Sequence, residues 1–168
     1  MNLSKKILLS VASACVALLG AALYLQIVEK MLPCPYCVFQ RYAFAFIAIF
    51  CLIAVATQGL WHRFANGLAL LSAIVGVGVA GKHIWLLANP ELSCGIDPLE
   101  TGLNKIFLAQ IWPTMFRADG LCETPYPPTL GLSLPAWAAI WFSIFILTLL
   151  LVFIRNQKTQ RGMFGPSR

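Results

Sequence analysis

Two cysteines separated by two residues stand at the edge of a long apolar run, in the sequence LPCPYCVFQR of residues 32–41. A disulfide between Cys34 and Cys37 would constrain little chain, because the entropic gain grows with loop length. The spacing instead suits a redox pair, since the second thiol can resolve a mixed disulfide formed by the first. Arg41 follows Cys37 by four residues, so on a helix both side chains project from one face. The guanidinium could there stabilise a Cys37 thiolate and polarise an electron acceptor beside it.

The prolines around this pair predict that it opens a helix. Pro33 and Pro35 restrict the chain just before the apolar run that starts near Val38, and proline is well tolerated in the first turn of a helix. A thiolate at a helix N-terminus is stabilised by the positive end of the helix dipole. The pattern therefore predicts reactive thiols where a helix begins.

The other four cysteines are of two kinds. Cys15 and Cys51 lie inside apolar runs and are expected to be small buried hydrophobes. Cys94 and Cys122 bracket a long loop, about 89–133, and a disulfide between them could simply staple it. No second close pair completes a four-cysteine zinc site, and Val38 stands where c-type haem attachment needs histidine. We therefore expect no metal site.

One histidine is a candidate for the same chemistry. His83 lies near the end of the third apolar run, on the membrane face that carries Arg41. It could hydrogen-bond a bound acceptor or assist proton transfer. An ordinary histidine satisfied at the membrane interface explains its position equally well.

These residues are carried by a chain that is too apolar for a soluble domain. Of 168 residues, 60% are hydrophobic and 11% are charged, whereas soluble domains are nearer half apolar and a quarter charged. Four apolar runs, about 7–28, 38–58, 64–88 and 134–154, are long enough to cross a bilayer. The prediction is an all-α, single-domain membrane protein, a four-helix bundle spanning residues 1–168. A signal peptide or lipid-anchoring site before Cys15 is the alternative for the first run, but that run continues too far, to Val28.

The distribution of charge orients the predicted bundle. The two termini and the loop near residue 63 share one side, which holds seven basic residues and no acid: Lys5, Lys6, Arg63, Arg155, Lys158, Arg161 and Arg168. Because basic residues mark the cytoplasmic side, both termini and the tail 155–168 are predicted to be cytoplasmic. The loops at about 29–37 and 89–133 then lie on the other side. The net charge of +6 is thus a topology signal, and no basic stripe with interleaved aromatics indicates nucleic-acid binding.

The second of these loops contains a helical pattern. Leu103, Phe107, Ile111 and Met115 recur every four residues, which suits a short helix on the membrane surface. Such a helix could do no more than pack over the bundle. Alternatively, it could take part in moving the loop. The proline-rich sequence TPYPP at 124–128 ends any helix before the last crossing.

Over nearly its whole length the sequence resembles the DsbB family of thiol oxidases of the bacterial inner membrane. The resemblance includes the four helices, the CxxC that opens the second and the cysteine pair in the second loop. It also includes the Gln40–Arg41 step, KHIWL at 82–86 and LGLSLPAW at 130–137. It implies a quinone-dependent protein-disulfide oxidoreductase that reoxidises a periplasmic, thioredoxin-fold oxidase of the DsbA type.

The resemblance also implies an order of electron transfer. Cys94 would be attacked by the thiolate of the partner, and Cys122 would be its loop partner, able to pair transiently with Cys34. Electrons would pass from Cys94–Cys122 to Cys34–Cys37 and then to ubiquinone or menaquinone in the membrane. Both loops would be periplasmic, and their four cysteines would be the active ones.

The resemblance places three side chains at the quinone. Cys37 would be the thiolate that faces it, Arg41 the cation that supports its binding and reduction, and His83 a neighbour of its ring. Lys82, next to His83, stands where arginine is more usual in the family.

Two other functions compete with this interpretation. A vitamin K epoxide reductase-like enzyme is also a four-helix thiol oxidoreductase, but its CxxC comes late in the chain and not first. A non-enzymatic scaffold stapled by two disulfides would have inert cysteines and a replaceable Arg41. A transporter is disfavoured, because no acidic residue lies inside the four apolar runs.

Overall fold

A computed structural model describes residues 3–89, 102–120 and 131–163, with side chains up to residue 156 in the last range. Its principal elements are the helices α1 (Leu3–Val28), α2 (Pro35–Ala56), α3 (Gly59–Ala88), α4 (Phe107–Ile111), α5 (Pro113–Phe116) and α6 (Leu134–Met163). Among the described residues, α1, α2, α3 and α6 are each long and apolar enough to cross a membrane. The predicted all-α fold with four membrane helices is confirmed.

The apolar runs form helices because a bilayer offers no hydrogen-bond partner to the backbone. Each peptide group must therefore bond within its own segment, which a helix allows. The shortest of the four, α2, has 22 residues. At 1.5 Å per residue it is about 33 Å long, enough to cross a hydrocarbon core of about 30 Å.

The helices extend beyond the apolar runs from which they were predicted. Three begin earlier than expected, α1 at Leu3, α2 at Pro35 and α3 at Gly59, and α6 continues past the predicted end near 154 to Met163. The apolar runs mark only what suits lipid, whereas Lys, Arg and Gln are also good helix formers and continue a helix into the polar flank. α2 begins early because proline suits the first turn, where its missing N–H has no helical partner to lose.

The four long helices form a ring in which α2 packs against α1 and α3, and α6 packs against α3 and α1. The interior is closed by stacked rings of Phe44 and Phe142, whose centroids are 4.1 Å apart. Gly76 of α3 faces the Phe142 ring so closely that a Cβ atom would clash with it. The outside is also apolar, as Leu71 and Leu147 illustrate, each more than half exposed. A helix that is apolar on every side is expected where the outer surface contacts lipid.

The segment 102–120 folds over the end of the bundle at which α2 begins. The predicted stripe does not form one face there: Leu103 and Met115 are buried, whereas Phe107 and Ile111 are 73% and 64% exposed. The expected single helix is divided into α4 and α5 because Pro113 cannot donate a helical hydrogen bond, and the chain changes direction at Trp112.

Candidate active site

The two cysteines of the CxxC pair occupy the start of α2. Cys34 is the N-cap residue, and its Sγ accepts a hydrogen bond from the backbone N–H of Cys37 at 3.4 Å. The two Sγ atoms are 3.2 Å apart, which is longer than a disulfide bond. A disulfide would bring them to about 2.05 Å, a small movement for two side chains within one helical turn. Cys34 is buried and Cys37 is partly exposed, so the two thiols differ in accessibility.

His83 approaches this pair from α3. Its Nε2 lies 3.6 Å from Cys34 Sγ, and its Nδ1 lies 3.5 Å from the side-chain nitrogen of Gln40. Tyr36 stacks against the imidazole with 5.9 Å between ring centroids. The histidine is 4% exposed. Contacts from α2 on both ring nitrogens therefore fix the orientation of a buried imidazole beside the dithiol.

Arg41 is buried one turn after Cys37 and is bound on three sides. Nη1 donates to Gln26 Oε1 at 2.7 Å and to the carbonyl oxygen of Met115 at 3.1 Å, and Nη2 donates to the carbonyl oxygen of Ala22 at 3.3 Å. Hydrogen bonds from a charged donor are among the stronger ones in proteins. The guanidinium thus joins α1, α2 and α5, and it does not extend outward to the lipid headgroups.

A cavity of about 380 Å³ lies beside Arg41, between α1, α2 and α6. Cys37, Gln40 and Arg41 form its reactive wall, and most of the remaining wall is apolar, including Trp137 and Trp141 of α6. This volume is within the range of sites that hold small organic molecules, which are mostly apolar with a few polar groups. A flat apolar ligand with polar oxygens would find a thiol and a cation on the same wall.

The loop segment after α5 is bound directly to the chain that precedes Cys34. The backbone N–H groups of Asp119 and Gly120 both donate to the carbonyl oxygen of Pro33 at 3.1 Å. Gly120 packs so closely on the backbone of Leu32 that a Cβ atom would clash with its carbonyl oxygen. Asn104 closes this segment on itself, through reciprocal 2.9 Å hydrogen bonds with the backbone of Ala118. The second loop therefore reaches the CxxC pair by backbone contacts.

Nearly the whole chain matches one known protein family. The model of the family described as "Disulfide bond formation protein DsbB" matches residues 4–152. The chain belongs to the DsbB family. It is 50% identical to disulfide bond formation protein B of Herminiimonas arsenicoxydans, over 94% of this chain and 99% of that protein. It is 48% identical to the protein of that name from Cupriavidus metallidurans, over 92% and 96% of the two chains. It is 45% identical to disulfide bond formation protein B 1 of Pseudomonas entomophila, over 94% of this chain and 95% of that protein.

The structure brings together four of the site residues predicted for this DsbB-family chain. Cys34, Cys37, Arg41 and His83 lie at one end of the bundle, around the start of α2. Within the described ranges, His83 contacts Cys34 and is not part of the cavity wall, so its role beside a quinone stays a prediction.

The other two predicted site residues, Cys94 and Cys122, lie outside the described residues. Cys15 and Cys51 are fully buried inside the bundle, as expected of small hydrophobes.

Three residues of this DsbB-family site were not singled out from the sequence. Gln26 is a polar residue in the otherwise apolar end of α1, and that exception was its available signal. Gln40 had been noted only as part of the Gln40–Arg41 step, and its contact with His83 depends on the packing of α2 against α3. Gly120 gave no signal in the sequence. Only glycine fits at this position because a Cβ atom would clash with Leu32, and that contact is visible only in the structure.

Proposed function

We propose that this DsbB-family membrane protein is a thiol:quinone oxidoreductase that reoxidises a periplasmic, thioredoxin-fold oxidase of the DsbA type. The observation that carries the proposal is that Cys37 and Arg41 share the wall of one largely apolar cavity, with Cys34 3.2 Å from Cys37. A dithiol, a fixed cation and an apolar space for a flat ring together suit thiol oxidation by a membrane quinone.

The cavity fits a quinone by size and by the chemistry of its wall. Its two tryptophans and aliphatic side chains suit an apolar ring, and the guanidinium of Arg41 suits a carbonyl oxygen that gains negative charge. A bound quinone would supply a two-electron acceptor. Arg41 is already held by Gln26, Met115 and Ala22, so its charge is fixed in place before a ligand enters.

The dithiol performs the last protein step. Cys34 and Cys37 together release two protons and two electrons as their sulfur atoms join, and a bound quinone would accept both. Cys37, which lines the cavity, is the thiolate that faces the acceptor. The N-terminus of α2 stabilises that thiolate through the helix dipole.

The second loop delivers the electrons. The partner's thiolate attacks Cys94 of the Cys94–Cys122 disulfide, and a second partner thiolate then releases the oxidised partner and leaves the loop dithiol. That dithiol reduces Cys34–Cys37 by two thiol–disulfide exchanges through a transient Cys34–Cys122 disulfide. The contact of Gly120 with Pro33 supports this route, since Cys122 follows Gly120 by two residues and Cys34 follows Pro33 directly.

The direction of transfer follows from reduction potentials. The DsbA–DsbB–quinone system of the periplasm, an established bacterial system, contains a strongly oxidising DsbA. Its reoxidation needs an acceptor of still higher potential, and about 30 mV gives a tenfold bias for a two-electron step. No side chain of the site is a terminal electron sink, and a quinone pool in the membrane supplies one.

The proposed location is the bacterial inner membrane, with both termini in the cytoplasm and the CxxC end of the bundle in the periplasm. The basic residues near the termini and near residue 63 support this orientation. The start of α2 then lies where periplasmic thiols and membrane quinone can both reach it.

Quinone reduction by purified protein tests the proposal. In detergent, with a reduced DsbA-type partner, absorbance of oxidised ubiquinone or menaquinone should fall rapidly, and Cys37→Ser should abolish the change. Cys51→Ala is the matched control, because it alters a cysteine of the same helix that is buried far from the cavity wall. Equal turnover by Cys37→Ser, or no reduction of either quinone by folded protein with a competent partner, would refute the proposal and favour a stapled scaffold.

A further inference from the structure

Three potential metal ligands converge where the CxxC pair meets α3. Cys34 Sγ lies 3.2 Å from Cys37 Sγ and 3.6 Å from His83 Nε2, and all three ligand atoms lie within 4.8 Å of one another. Zinc binds thiolate sulfur at about 2.3 Å and imidazole nitrogen at about 2.0–2.1 Å, so two ligands on a tetrahedral ion are about 3.5–3.8 Å apart. The two separations that involve Cys34 are thus close to those that one tetrahedral ion requires, and the third, between Cys37 and His83, is at most 4.8 Å.

We propose that the reduced Cys34–Cys37 pair and His83 form a binding site for a soft divalent cation such as Zn²⁺ or Cd²⁺. Binding replaces one proton on each thiol, so two protons are released, two metal–sulfur bonds form and no electron is transferred. Neutral His83 contributes the lone pair of Nε2. Three protein ligands leave a fourth position for water or another small ligand.

The expectation of no metal site rested on cysteine spacing alone. A four-cysteine zinc site needs a second close pair, which the sequence lacks. The third ligand here is a histidine 46 positions after Cys37, brought to the pair by the packing of α3 against α2. Sequence spacing could not show this juxtaposition.

The surroundings of His83 suit a metal ligand. Gln40 lies 3.5 Å from Nδ1, and a side-chain amide can present either its nitrogen or its oxygen. With the oxygen facing the ring, Gln40 accepts a hydrogen bond from Nδ1–H, and Nε2 is left free for the cation. In most metal-bound histidines, the ring nitrogen that does not bind the metal donates such a hydrogen bond, which orients the ring. Tyr36 stacks on the ring and restricts its rotation.

Metal binding and oxidation of this pair exclude each other. A metal ligand must be a thiolate, whereas a disulfide uses both sulfur atoms in one bond. A bound cation therefore holds Cys34 and Cys37 in the reduced form. Binding itself does not depend on the proposed function, but inhibition of quinone reduction by the cation does.

Titration of the reduced protein with Cd²⁺ tests this site. Cys94→Ser and Cys122→Ser are combined as the background, so that no loop thiol competes, and thiolate-to-cadmium charge-transfer absorbance is followed in detergent without quinone or partner. One equivalent should bind. Cys34→Ser or Cys37→Ser should abolish the tight binding, and His83→Ala should weaken it at least tenfold. Cys51→Ala, the matched control, should bind as the background does, and protein with the Cys34–Cys37 disulfide should bind none.

Two results would overturn the site: absence of the absorbance in folded, reduced protein, or the same affinity with and without His83. If His83→Ala does not fold, Gln40→Leu tests the site instead, because it removes the hydrogen-bond acceptor of His83 Nδ1–H. Loss of such a bond to a metal-bound histidine usually lowers metal affinity by about 10–100-fold. An unchanged affinity in Gln40→Leu would then overturn the site. Because neither quinone nor partner is present, failure here leaves the electron relay intact, and failure of the relay leaves this site intact.

Discussion

Gly120 donates its backbone N–H to the carbonyl oxygen of Pro33 at 3.1 Å, and it packs against the backbone of Leu32 where no Cβ atom fits. Pro33 directly precedes Cys34, and Gly120 precedes Cys122 by two residues. Two residues of extended chain span about 7 Å at most. This contact therefore brings the second loop to the CxxC pair at a point from which the proposed Cys34–Cys122 disulfide is within reach of the chain.

Gly120→Ala should disrupt that approach. The new methyl group meets the Leu32 carbonyl oxygen, so the loop must move away from Pro33 and lose two backbone hydrogen bonds. In a Cys37→Ser background the Cys34 thiolate attacks Cys122 of the Cys94–Cys122 disulfide and releases the Cys94 thiolate. We expect the resulting Cys34–Cys122 disulfide, seen on non-reducing gels, to form at least tenfold more slowly. Gly102→Ala in the same segment has open space at its Cβ position and should form the disulfide at the normal rate. Equal rates in the two variants would contradict the proposed role of Gly120.

Arg41→Lys should weaken the use of quinone. The guanidinium donates to three acceptors in fixed directions, from Gln26, Met115 and Ala22, and a single ammonium group cannot reproduce that fork. A misplaced charge should also lose the proposed hydrogen bond to a quinone oxygen. A hydrogen bond from a charged group is worth about 1.5–3 kcal/mol, so KM for quinone should rise about tenfold or more. Steady-state kinetics at varied quinone concentration measure this.

The matched control for Arg41→Lys is Arg117→Lys, which alters an exposed arginine paired with Asp119 in the second loop. It should leave KM for quinone unchanged, because exposed ion pairs contribute little. An Arg41→Lys protein with the normal KM and turnover would contradict the assignment of Arg41.

Gln26→Leu should loosen Arg41 without removing its charge. The substitution deletes the 2.7 Å acceptor and leaves an unpaired N–H on a buried guanidinium. We expect a loss of about 1.5–3 kcal/mol in stability, seen as a lower Tm in detergent, together with a raised KM for quinone. Gln58→Leu is the comparison, since Gln58 is exposed and its side chain makes no capping hydrogen bond. Equal Tm values for the two variants would exclude a supporting role for Gln26.

Gly76→Ala should destabilise the bundle and leave the chemistry of the site unchanged. A methyl group there meets the Phe142 ring at 2.5 Å, and that ring is already stacked on Phe44. Overpacking of this kind typically costs about 1–3 kcal/mol. Gly78→Ala, two residues along α3, has open space and should keep the normal Tm. Thermal unfolding of the two variants in the same detergent measures this difference, and equal Tm values would contradict a close contact between α3 and α6.

The parts of the site that sequence could predict are those within one turn of helix. Cys34, Cys37 and Arg41 are related by local spacing, and a helix that starts at a proline fixes their relative positions with little help from the rest of the chain. The membrane helices were equally predictable, because apolar length alone determines them. Their ends were not, because polar residues extend a helix without changing the apolar pattern.

The parts that sequence could not predict are contacts between distant segments. His83 meets Cys34 across 49 positions, and Arg41 meets Gln26 across 15 and Met115 across 74. Each contact depends on the rotation of one helix or loop against another, which no local spacing encodes. A short helix is present in the second loop as predicted, but its four apolar residues do not share one face, since burial of Leu103 and Met115 depends on packing over the bundle.

The cap of α2 links the redox state of Cys34 to the backbone. Cys34 Sγ accepts the hydrogen bond from the Cys37 N–H. In the proposed relay, the same sulfur atom would exchange its disulfide partner from Cys37 to Cys122. When that sulfur turns toward the loop, the first turn of α2 loses its cap, and the Cys37 amide proton loses its acceptor. The chemical shift of the Cys37 amide in the nuclear magnetic resonance spectrum should therefore report which cysteine is disulfide-bonded to Cys34 at each stage of turnover.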